Sequence, residues 1–311
     1  MIPLKKCKNL NLKIRTNRQN WFGLSGELVL DQELVIDLKD ILNRIRSSSG
    51  RFIELENGQF VALTREFRKR LDELNTFGED EAKDEEINVH PLAVHSLEKL
   101  VEQANTQTNK AWVEQVARIE QSLSFNPELP STLRAELRDY QLEGYHWLAR
   151  LAHWGVGGCL ADDMGLGKTL QSLAIILHYA SDGPSLVVAP TSVSTNWLTE
   201  VARFTPTLNI KQLGGKNRKE NIDKLGKFDL LITTYTLLQQ EIDNLSQVQW
   251  QTIVLDEAQA IKNPNARTAV AVRQLKAKTG LCLTGTPLEN HLGEFWALFD
   301  FLMPGFLGGP N

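Results

Sequence analysis

Short apolar runs separated by amphipathic or polar segments dominate the chain from residue 131 onward. Six of these runs read as buried strands, at Leu160, 186–189, 210–213, 230–233, 253–255 and 281–283. The segments between them have helical spacing or loop composition, and alternating strands and helices are typical of a mostly parallel sheet with helical crossovers. We therefore expect an α/β domain over residues 131–311.

The first quarter of the chain has a different pattern. Its spacing of apolar and polar residues predicts three short strands, at 22–30, 51–55 and 59–63, and two helices, at 37–46 and 66–74. Asn57-Gly58 separates the last two strands, and this dipeptide is a strong hairpin turn signal. The pattern predicts a small α+β accessory module over residues 1–77.

Residues 78–130 differ from both neighbours. The acidic run 79–86 predicts a linker, and apolar residues at helical intervals over 92–123 predict a helical segment that a polar Gln-Asn-Thr stretch interrupts. Pro127 and Pro130 then mark a boundary. We therefore expect three parts in the chain: the module, the acidic linker with its helical segment, and the α/β domain.

Composition narrows the class of protein. A chain of 311 residues with 42% apolar and 23% charged residues suits a globular protein of two domains. The net charge of −4 gives no general basic field, so any binding of nucleic acid has to be local. Cys7, Cys159 and Cys282 lack C-x-x-C spacing, so neither a disulfide framework nor a structural metal is expected. No apolar stretch approaches the ~20 residues that cross a bilayer, and a cytoplasmic protein is expected.

A glycine-rich run after the first strand of the α/β domain predicts a phosphate-binding loop. The run is Asp163-Met164-Gly165-Leu166-Gly167-Lys168-Thr169, and a segment with helical spacing follows it. Glycines let backbone N–H groups point at phosphate, the lysine reaches the outer phosphates, and the threonine hydroxyl can ligate magnesium. Asp162 stands where the general G-x-x-x-x-G-K-[ST] pattern has its first glycine, so the loop departs from that pattern at one position.

Two carboxylates follow another buried strand. Asp256 and Glu257 come directly after the run 253–255, and the carboxyl ends of strands are where α/β sheets place ligands. Asp256 could hold magnesium, and Glu257 could orient and polarise the attacking water. Such a pair alone is more often a solvated strand end. The pair and the phosphate loop together predict a nucleoside triphosphatase site.

Five motifs of the chain occur in the order of a known family. They are the segments 137–144, 161–169, 188–191, 256–259 and 283–290. Over about residues 133–308 the chain resembles the SWI/SNF-type ATPases of helicase superfamily two, and its Asp-Glu-Ala-Gln box most resembles the bacterial members. The fold that this resemblance implies is a RecA-like lobe. The N-terminal module is similar to the accessory region that precedes the ATPase in those bacterial proteins.

The resemblance implies that several of the residues that match family motifs bind the nucleotide or take part in its hydrolysis. Gln141 would recognise the adenine of ATP, since an amide offers both a donor and an acceptor to a purine edge. The run 163–169 would cradle the phosphates, with Lys168 among the catalytic residues. Asp256 and Thr169 would hold Mg²⁺, and Glu257 would position the attacking water.

Other matching residues imply coupling and DNA contacts. Gln259 and the run Thr284-Gly285-Thr286 would couple the nucleotide state to the nucleic-acid track and to a second lobe. Pro190, Thr191 and Thr234 would contact the DNA backbone, where hydroxyl and amide groups bind phosphate without reading bases.

The implied function is an ATP-dependent translocase on double-stranded DNA or a nucleoprotein remodeller. The family's motor needs a second lobe, which supplies arginines to the ATP site, whereas this chain ends soon after its fifth motif. We therefore expect the first lobe of a larger or truncated protein, with weak nucleotide binding and little hydrolysis by the chain alone. Two other readings stay open. One is an ATP-binding module that engages a protein such as RNA polymerase through residues 1–125, and the other, disfavoured by the motif order, is a small-molecule kinase.

Overall fold

A computed structural model describes residues 10–17, 21–29, 35–48, 50, 52–54, 60–79, 86–215, 217–286 and 292–307. The chain divides into two compact units, residues 1–121 and 122–311. The first unit therefore includes most of the segment 78–130 that the sequence pattern sets apart as a linker with a helical segment. Among the described residues, no helix is long and apolar enough to cross a bilayer.

The first unit combines a mostly antiparallel sheet with helices. Its strands are β1 (Leu10–Thr16), β2 (Phe22–Val29), β3 (Val35–Asp37), β4 (Phe52–Glu54), β5 (Phe60–Ala62), β6 (Gly78–Glu79), β7 (Ile87–Val89) and β8 (Asn105–Gln107). Its helices are α1 (Leu38–Arg46), α2 (Arg65–Phe77), α3 (Val94–Gln103) and α4 (Lys110–Leu123), the last of which crosses the boundary at residue 121. The sheet runs in the order β6-β7-β2-β1-β8, β3 also pairs with β2, and β4 and β5 form a separate two-stranded sheet.

The helices of this unit follow the predicted spacing. Asp37 caps α1 by accepting a hydrogen bond from the backbone N–H of Lys39 (2.7 Å), and the helix buries Leu38, Ile41, Leu42 and Ile45 on one face. The second predicted helix is α2, which continues three residues past the predicted end at 74 to residue 77. These elements confirm the α+β class of the first unit.

Five described strands of the first unit, β1, β3, β6, β7 and β8, are not predicted by the sequence pattern, and two of them, β1 and β8, lie side by side. In β1, buried Leu10, Leu12 and Ile14 alternate with more exposed residues, and this strand pairs antiparallel with β2 along seven positions. The polar interruption of the predicted helical segment is strand β8, which pairs parallel with β1 along three positions. The Asn105 Nδ2 of β8 also donates a hydrogen bond to Asn11 Oδ1 of β1 (3.1 Å).

Two further predictions reach the edges of the described residues. Glu79, the first residue of the predicted acidic linker, lies in β6 and pairs with β7, while residues 80–85 lie outside the described residues. The predicted Asn57-Gly58 turn also lies outside them, although β4 and β5, the strands it would connect, pair antiparallel.

The second unit is built on a parallel sheet. Its strands are β9 (Gly158–Leu160), β10 (Ser185–Ala189), β11 (Asn209–Gln212), β12 (Asp229–Thr234), β13 (Gln249–Asp256) and β14 (Lys276–Leu283). Its helices are α5 (Asp139–Trp154), α6 (Lys168–His178), α7 (Thr191–Phe204), α8 (Arg218–Asp223), α9 (Tyr235–Gln240), α10 (Ile242–Leu245), α11 (Arg267–Arg273) and α12 (Leu292–Leu302). The strand order is β11-β12-β10-β13-β14-β9, and every pair is parallel. The α/β prediction is confirmed, since each predicted apolar run lies within or overlaps one of these strands.

Both faces of this sheet are covered by helices. On one face, Val187 and Val254 pack in a core with Leu148 of α5, Ile175 of α6 and Trp197 of α7. On the other face, the alternate strand residues form a second core with helices α9, α11 and α12. Sheets that are buried on both sides read as continuous apolar runs, which is why the strands were visible in the sequence.

Because all six strands are parallel, their carboxyl ends meet at one edge of the sheet, here called the carboxyl edge. The segments that leave this edge start at Ala161, Pro190, Leu213, Tyr235, Glu257 and Thr284. A backbone hydrogen bond from Thr284 N–H to the carbonyl of Leu160 (3.1 Å) ties two of these exits together. The fold therefore collects five of the predicted functional segments at one edge.

Two buried threonines of the second unit differ in whether their hydroxyl groups are hydrogen-bonded, and this difference should show in the free energy of unfolding. Thr252 Oγ1 in β13 is buried with no hydrogen-bond partner among the described residues, whereas the equally buried Thr205 Oγ1 donates to the carbonyl of Val201 (3.0 Å). We expect Thr252→Val to raise the free energy of unfolding by ~1 kcal/mol and Thr205→Val to lower it by ~1 kcal/mol, because only the second change breaks a hydrogen bond. Urea denaturation measures both, and equal losses would contradict the expectation.

Candidate nucleotide-binding site

The predicted phosphate loop connects β9 to α6 at the carboxyl edge. Gly165 (φ 86°) and Gly167 (φ 76°) adopt left-handed backbone conformations, which glycine enters without steric cost. Gly167 caps α6, so the helix begins at Lys168 and its first N–H groups face the loop. A helix start of this kind favours anions through its free N–H groups and its dipole.

Lys168 lies against the backbone of the same loop. Its Nζ donates to the carbonyls of Asp162 (2.5 Å) and Asp163 (3.1 Å). The charge of Lys168 also reaches the neighbouring strands. Burial raises the pKa of the Cys159 thiol in β9 to about 11, and the positive charge of Lys168 acts in the opposite direction. Burial also raises the pKa of Asp256 in β13, and Lys168 again acts to lower it. One cation therefore acts on the ends of two strands.

The Gln141 side chain connects α5 to the loop. Its Oε1 accepts from the backbone N–H of Arg138 (3.0 Å), and its Nε2 donates to the carbonyl of Leu166 (3.2 Å). A Cβ atom placed on Gly167 would lie only 2.3 Å from that Nε2. The amide thus supports the loop, and it retains one N–H and one acceptor lone pair for a ligand.

Asp256 ends β13 as a buried carboxylate with a donor on each oxygen. Oδ2 accepts from the indole Nε1–H of Trp197 (2.7 Å), and Oδ1 accepts from the backbone N–H of Glu257 (2.9 Å). Burial is the largest influence and raises the pKa of Asp256, as does the charge of Glu257, while the two hydrogen bonds and Lys168 lower it. The hydroxyl of Tyr235 donates to the backbone carbonyl of Asp256 (2.8 Å), which fixes the strand end as well.

Glu257 turns the chain sharply at the carboxyl edge. Its φ of 49° and ψ of 55° are left-handed, a conformation that costs a non-glycine residue roughly 1–2 kcal/mol. Such strain is found most often at functional sites. The turn places its side chain beside Gln259, which begins a series of hydrogen bonds.

That series joins Glu257 to the segment after β14. Gln259 Nε2 donates to Glu257 Oε2 (2.6 Å), and Gln259 Oε1 accepts from Thr284 Oγ1 (3.2 Å). Thr284 Oγ1 in turn accepts from the backbone N–H of Thr286 (3.1 Å). The structure thus brings together three of the four predicted coupling residues. Gly285 lies in the bend between the two threonines.

The three predicted DNA-contact residues lie together at the carboxyl edge. Ala189 and Thr234 are paired positions of β10 and β12, and Pro190 and Thr191 follow Ala189 directly. Thr191 is exposed at the first turn of α7. The hydroxyl oxygen of Thr234 accepts from the backbone N–H of Leu237 (3.3 Å), so Thr234 also caps α9.

Two side chains at this site escape prediction from the sequence. Trp197 lies 59 positions before Asp256, and Tyr235 lies 21 before it. Both occupy apolar positions of helices, and nothing local distinguishes them from ordinary core residues. Within the described residues, no group of three or more histidine, cysteine, aspartate or glutamate side chains could hold a metal ion.

Comparison with known proteins gives consistent results. A sequence profile of the family described as the SNF2-related domain matches residues 140–311. YwqA of Bacillus subtilis, which carries the name of an ATP-dependent helicase/translocase, is 34% identical over 289 residues, or 86% of this chain and 31% of YwqA. The ISWI chromatin-remodeling complex ATPase CHR17 of Arabidopsis thaliana is 41% identical over 184 residues, or 56% of this chain and 17% of CHR17. The chain thus spans less than a third of the length of these relatives.

Solved structures show the same similarity. The SWI2/SNF2 ATPase core of Sulfolobus solfataricus in complex with dsDNA superimposes with a TM-score of 0.54 and 41% identity, covering 60% of this chain and 39% of that one. The core domain of the same organism, described without DNA, gives a TM-score of 0.54 and 42% identity over the same shares. These matches confirm the RecA-like lobe predicted from the sequence.

The close approach between Gly167 and Gln141 predicts the effect of a methyl group. We expect Gly167→Ala to lower nucleotide affinity five- to tenfold, because the new Cβ displaces the amide that supports the loop, at a cost of ~1 kcal/mol. Equilibrium titration with a fluorescent ATP analogue measures this affinity.

Gly215 provides the matched control. It has the same φ of 76°, and no atom lies within 4 Å of a Cβ placed there. Gly215→Ala should therefore suffer the same backbone strain and keep the nucleotide affinity of the unchanged chain. Equal losses of affinity in both variants would show that strain, and not the contact with Gln141, is responsible.

Proposed function

Because the chain belongs to the SNF2-related family, we propose that it forms the ATP-binding part of an ATP-dependent translocase on double-stranded DNA or of a nucleoprotein remodeller. The observation that carries this proposal is the series of hydrogen bonds from Thr286 through Thr284 and Gln259 to Glu257. A phosphate loop alone would suit many enzymes. A water-positioning carboxylate bonded to a second motif suits a motor, because the motor must relate hydrolysis to movement.

Each part of the site has a role in ATP hydrolysis. Residues 163–169 would bind the phosphates through backbone N–H groups and Lys168, which would exchange the carbonyls of Asp162 and Asp163 for phosphate oxygens. Thr169 and Asp256 would hold the Mg²⁺ of ATP, which neutralises phosphate charge. Glu257 would orient the attacking water, and Gln141 would meet the adenine with its remaining N–H and lone pair.

The carboxyl edge also offers a surface for the DNA backbone. Pro190, Thr191 and Thr234 lie side by side there, and α7 begins at Thr191, so the positive end of its dipole favours phosphate oxygens at this place. The similarity to a core solved in complex with dsDNA supports this proposal. Contacts of this kind would be independent of base sequence and sensitive to salt.

Lys168→Ala tests the phosphate site. Hydrogen bonds to charged groups contribute about 1.5–3 kcal/mol, so we expect ATP affinity to fall about 10- to 100-fold. The melting temperature without nucleotide should change little, because the hydrogen bonds of Lys168 Nζ go to two backbone carbonyls of the loop and to no residue of the core. Isothermal titration calorimetry measures the affinity.

Lys276→Ala is the control for the loss of a positive charge. Lys276 is exposed at the amino end of β14, at the edge of the sheet opposite the site. Its replacement should leave ATP affinity unchanged. If Lys168→Ala binds ATP as the unchanged chain does, this site does not bind the phosphates.

Thr191→Glu tests the DNA surface. A carboxylate at the start of α7 favours the helix but repels phosphate, so we expect weaker binding of duplex DNA and unchanged ATP affinity. Because the effect comes from repulsion between charges, the loss of DNA affinity should be largest at low salt and should shrink as the salt concentration rises. Fluorescence anisotropy of a labelled duplex measures both.

Thr199→Glu places the same charge on the same helix two turns away. Thr199 is exposed as Thr191 is, and its hydroxyl bonds only to the carbonyl of Thr195. DNA affinity should fall less in this variant than in Thr191→Glu. Equal effects would mean that the charge acts over long range and that Thr191 makes no contact.

The first unit would bind a protein partner of this motor. Phe52 and Phe60 of the β4–β5 pair are both more than two-fifths exposed, which favours contact with another protein over a purely structural role. The predicted partner stays a protein such as RNA polymerase. ATP hydrolysis measured with and without duplex DNA, in a protein that also carries the second lobe, separates a DNA-driven motor from an ATP-binding interaction module.

A further inference from the structure

Trp197 makes a contact that the proposed roles leave unexplained. It lies in the second turn of α7, it is fully buried, and its indole Nε1–H donates to Asp256 Oδ2 at 2.7 Å. Tryptophan usually fills a core through its area alone, and a buried indole N–H needs only some acceptor. Here the acceptor is the one carboxylate proposed to hold Mg²⁺.

The bond from Trp197 helps to fix the orientation of the Asp256 carboxylate. Its other oxygen, Oδ1, accepts from the backbone N–H of Glu257 (2.9 Å), so each oxygen has one fixed donor. The indole nitrogen can donate but cannot accept. It therefore favours the ionised carboxylate and one rotation of its plane, and the remaining lone pairs are directed by those two bonds.

Hydrogen bonds of this kind matter for a carboxylate that binds a metal ion. Carboxylates that hold metal ions are themselves oriented by hydrogen bonds, and the loss of such a bond typically lowers metal affinity or activity 10- to 100-fold. Without the indole N–H, Asp256 Oδ2 would be buried with no fixed donor. Its carboxylate would then be free to rotate and less readily ionised.

We propose that Trp197 is a positioning residue of the magnesium site, whose indole N–H holds the Asp256 carboxylate in the orientation that binds the metal ion. This inference rests on the proposed ATPase function. It assigns to α7 a role in metal binding in addition to the proposed contact of Thr191 with DNA.

Trp197→Phe tests the proposal, since phenylalanine keeps most of the buried ring and removes the N–H. The affinity of the chain for a fluorescent ATP analogue is measured without Mg²⁺ and over a series of Mg²⁺ concentrations. We expect the Mg²⁺ concentration that gives half of the gain in affinity to rise 10- to 100-fold, with the Mg²⁺-free affinity unchanged.

Trp250→Phe is the matched control. Trp250 is also buried in the second unit, and its Nε1–H donates to the backbone carbonyl of Leu245 (3.0 Å), far from any carboxylate proposed to bind metal. This variant loses the same kind of bond and should keep the Mg²⁺ dependence of the unchanged chain. Unchanged behaviour of Trp197→Phe, or an equal change in both variants, would overturn the proposal.

Two further outcomes are informative. If the unchanged chain binds the nucleotide with no dependence on Mg²⁺, the proposed ATPase site itself fails, and this inference fails with it. If Trp197→Phe does not fold, the indole N–H signals of the ¹⁵N-labelled Trp250→Phe chain are followed by NMR during addition of Mg²⁺ to the nucleotide complex. One indole signal should move, and the absence of any response would overturn the proposal.

Discussion

The buried carboxylate of Asp256 is the constraint on which the second unit depends. A charged group removed from water is strongly destabilising unless donors satisfy it, so the protein must bring such groups to the end of β13. Two donors come from separate segments, the indole of Trp197 in α7 and the backbone N–H of Glu257 in a left-handed turn, and the charge of Lys168 at the start of α6 also favours the ionised carboxylate. The phosphate loop with the start of α6, helix α7 and the turn at Glu257 thus all interact with the charge of Asp256.

The sequence predicts the parts of this arrangement better than their contacts. Strands buried on both sides show as unbroken apolar runs, and Gly165, Gly167 and Lys168 are recognisable because only certain residues suit a phosphate loop. Strand β8 was missed because its polar residues give no apolar signal, although its backbone pairs with β1. The bond between Trp197 and Asp256 could not be predicted, since a contact across 59 positions leaves no periodic pattern.

A parallel sheet explains why binding, catalysis and coupling could share one place. The carboxyl ends of all six strands lie at the same edge, so the segments that follow the strands are close enough in space to contact one another. Thr284 illustrates this, because its backbone bonds to the strand before the phosphate loop while its hydroxyl bonds to Gln259. Helix α7 adds a second connection, with Thr191 at its exposed start and Trp197 at its buried face.

A crystal structure of the chain with Mg²⁺ and a non-hydrolysable ATP analogue would show directly whether these residues bind the nucleotide and the metal ion. We expect Lys168 Nζ to leave the carbonyls of Asp162 and Asp163 for the phosphates, and Mg²⁺ to be held by Thr169 and by an Asp256 that is still bonded to Trp197. A nucleotide bound away from residues 163–169, or Mg²⁺ held without Asp256, would contradict this expectation.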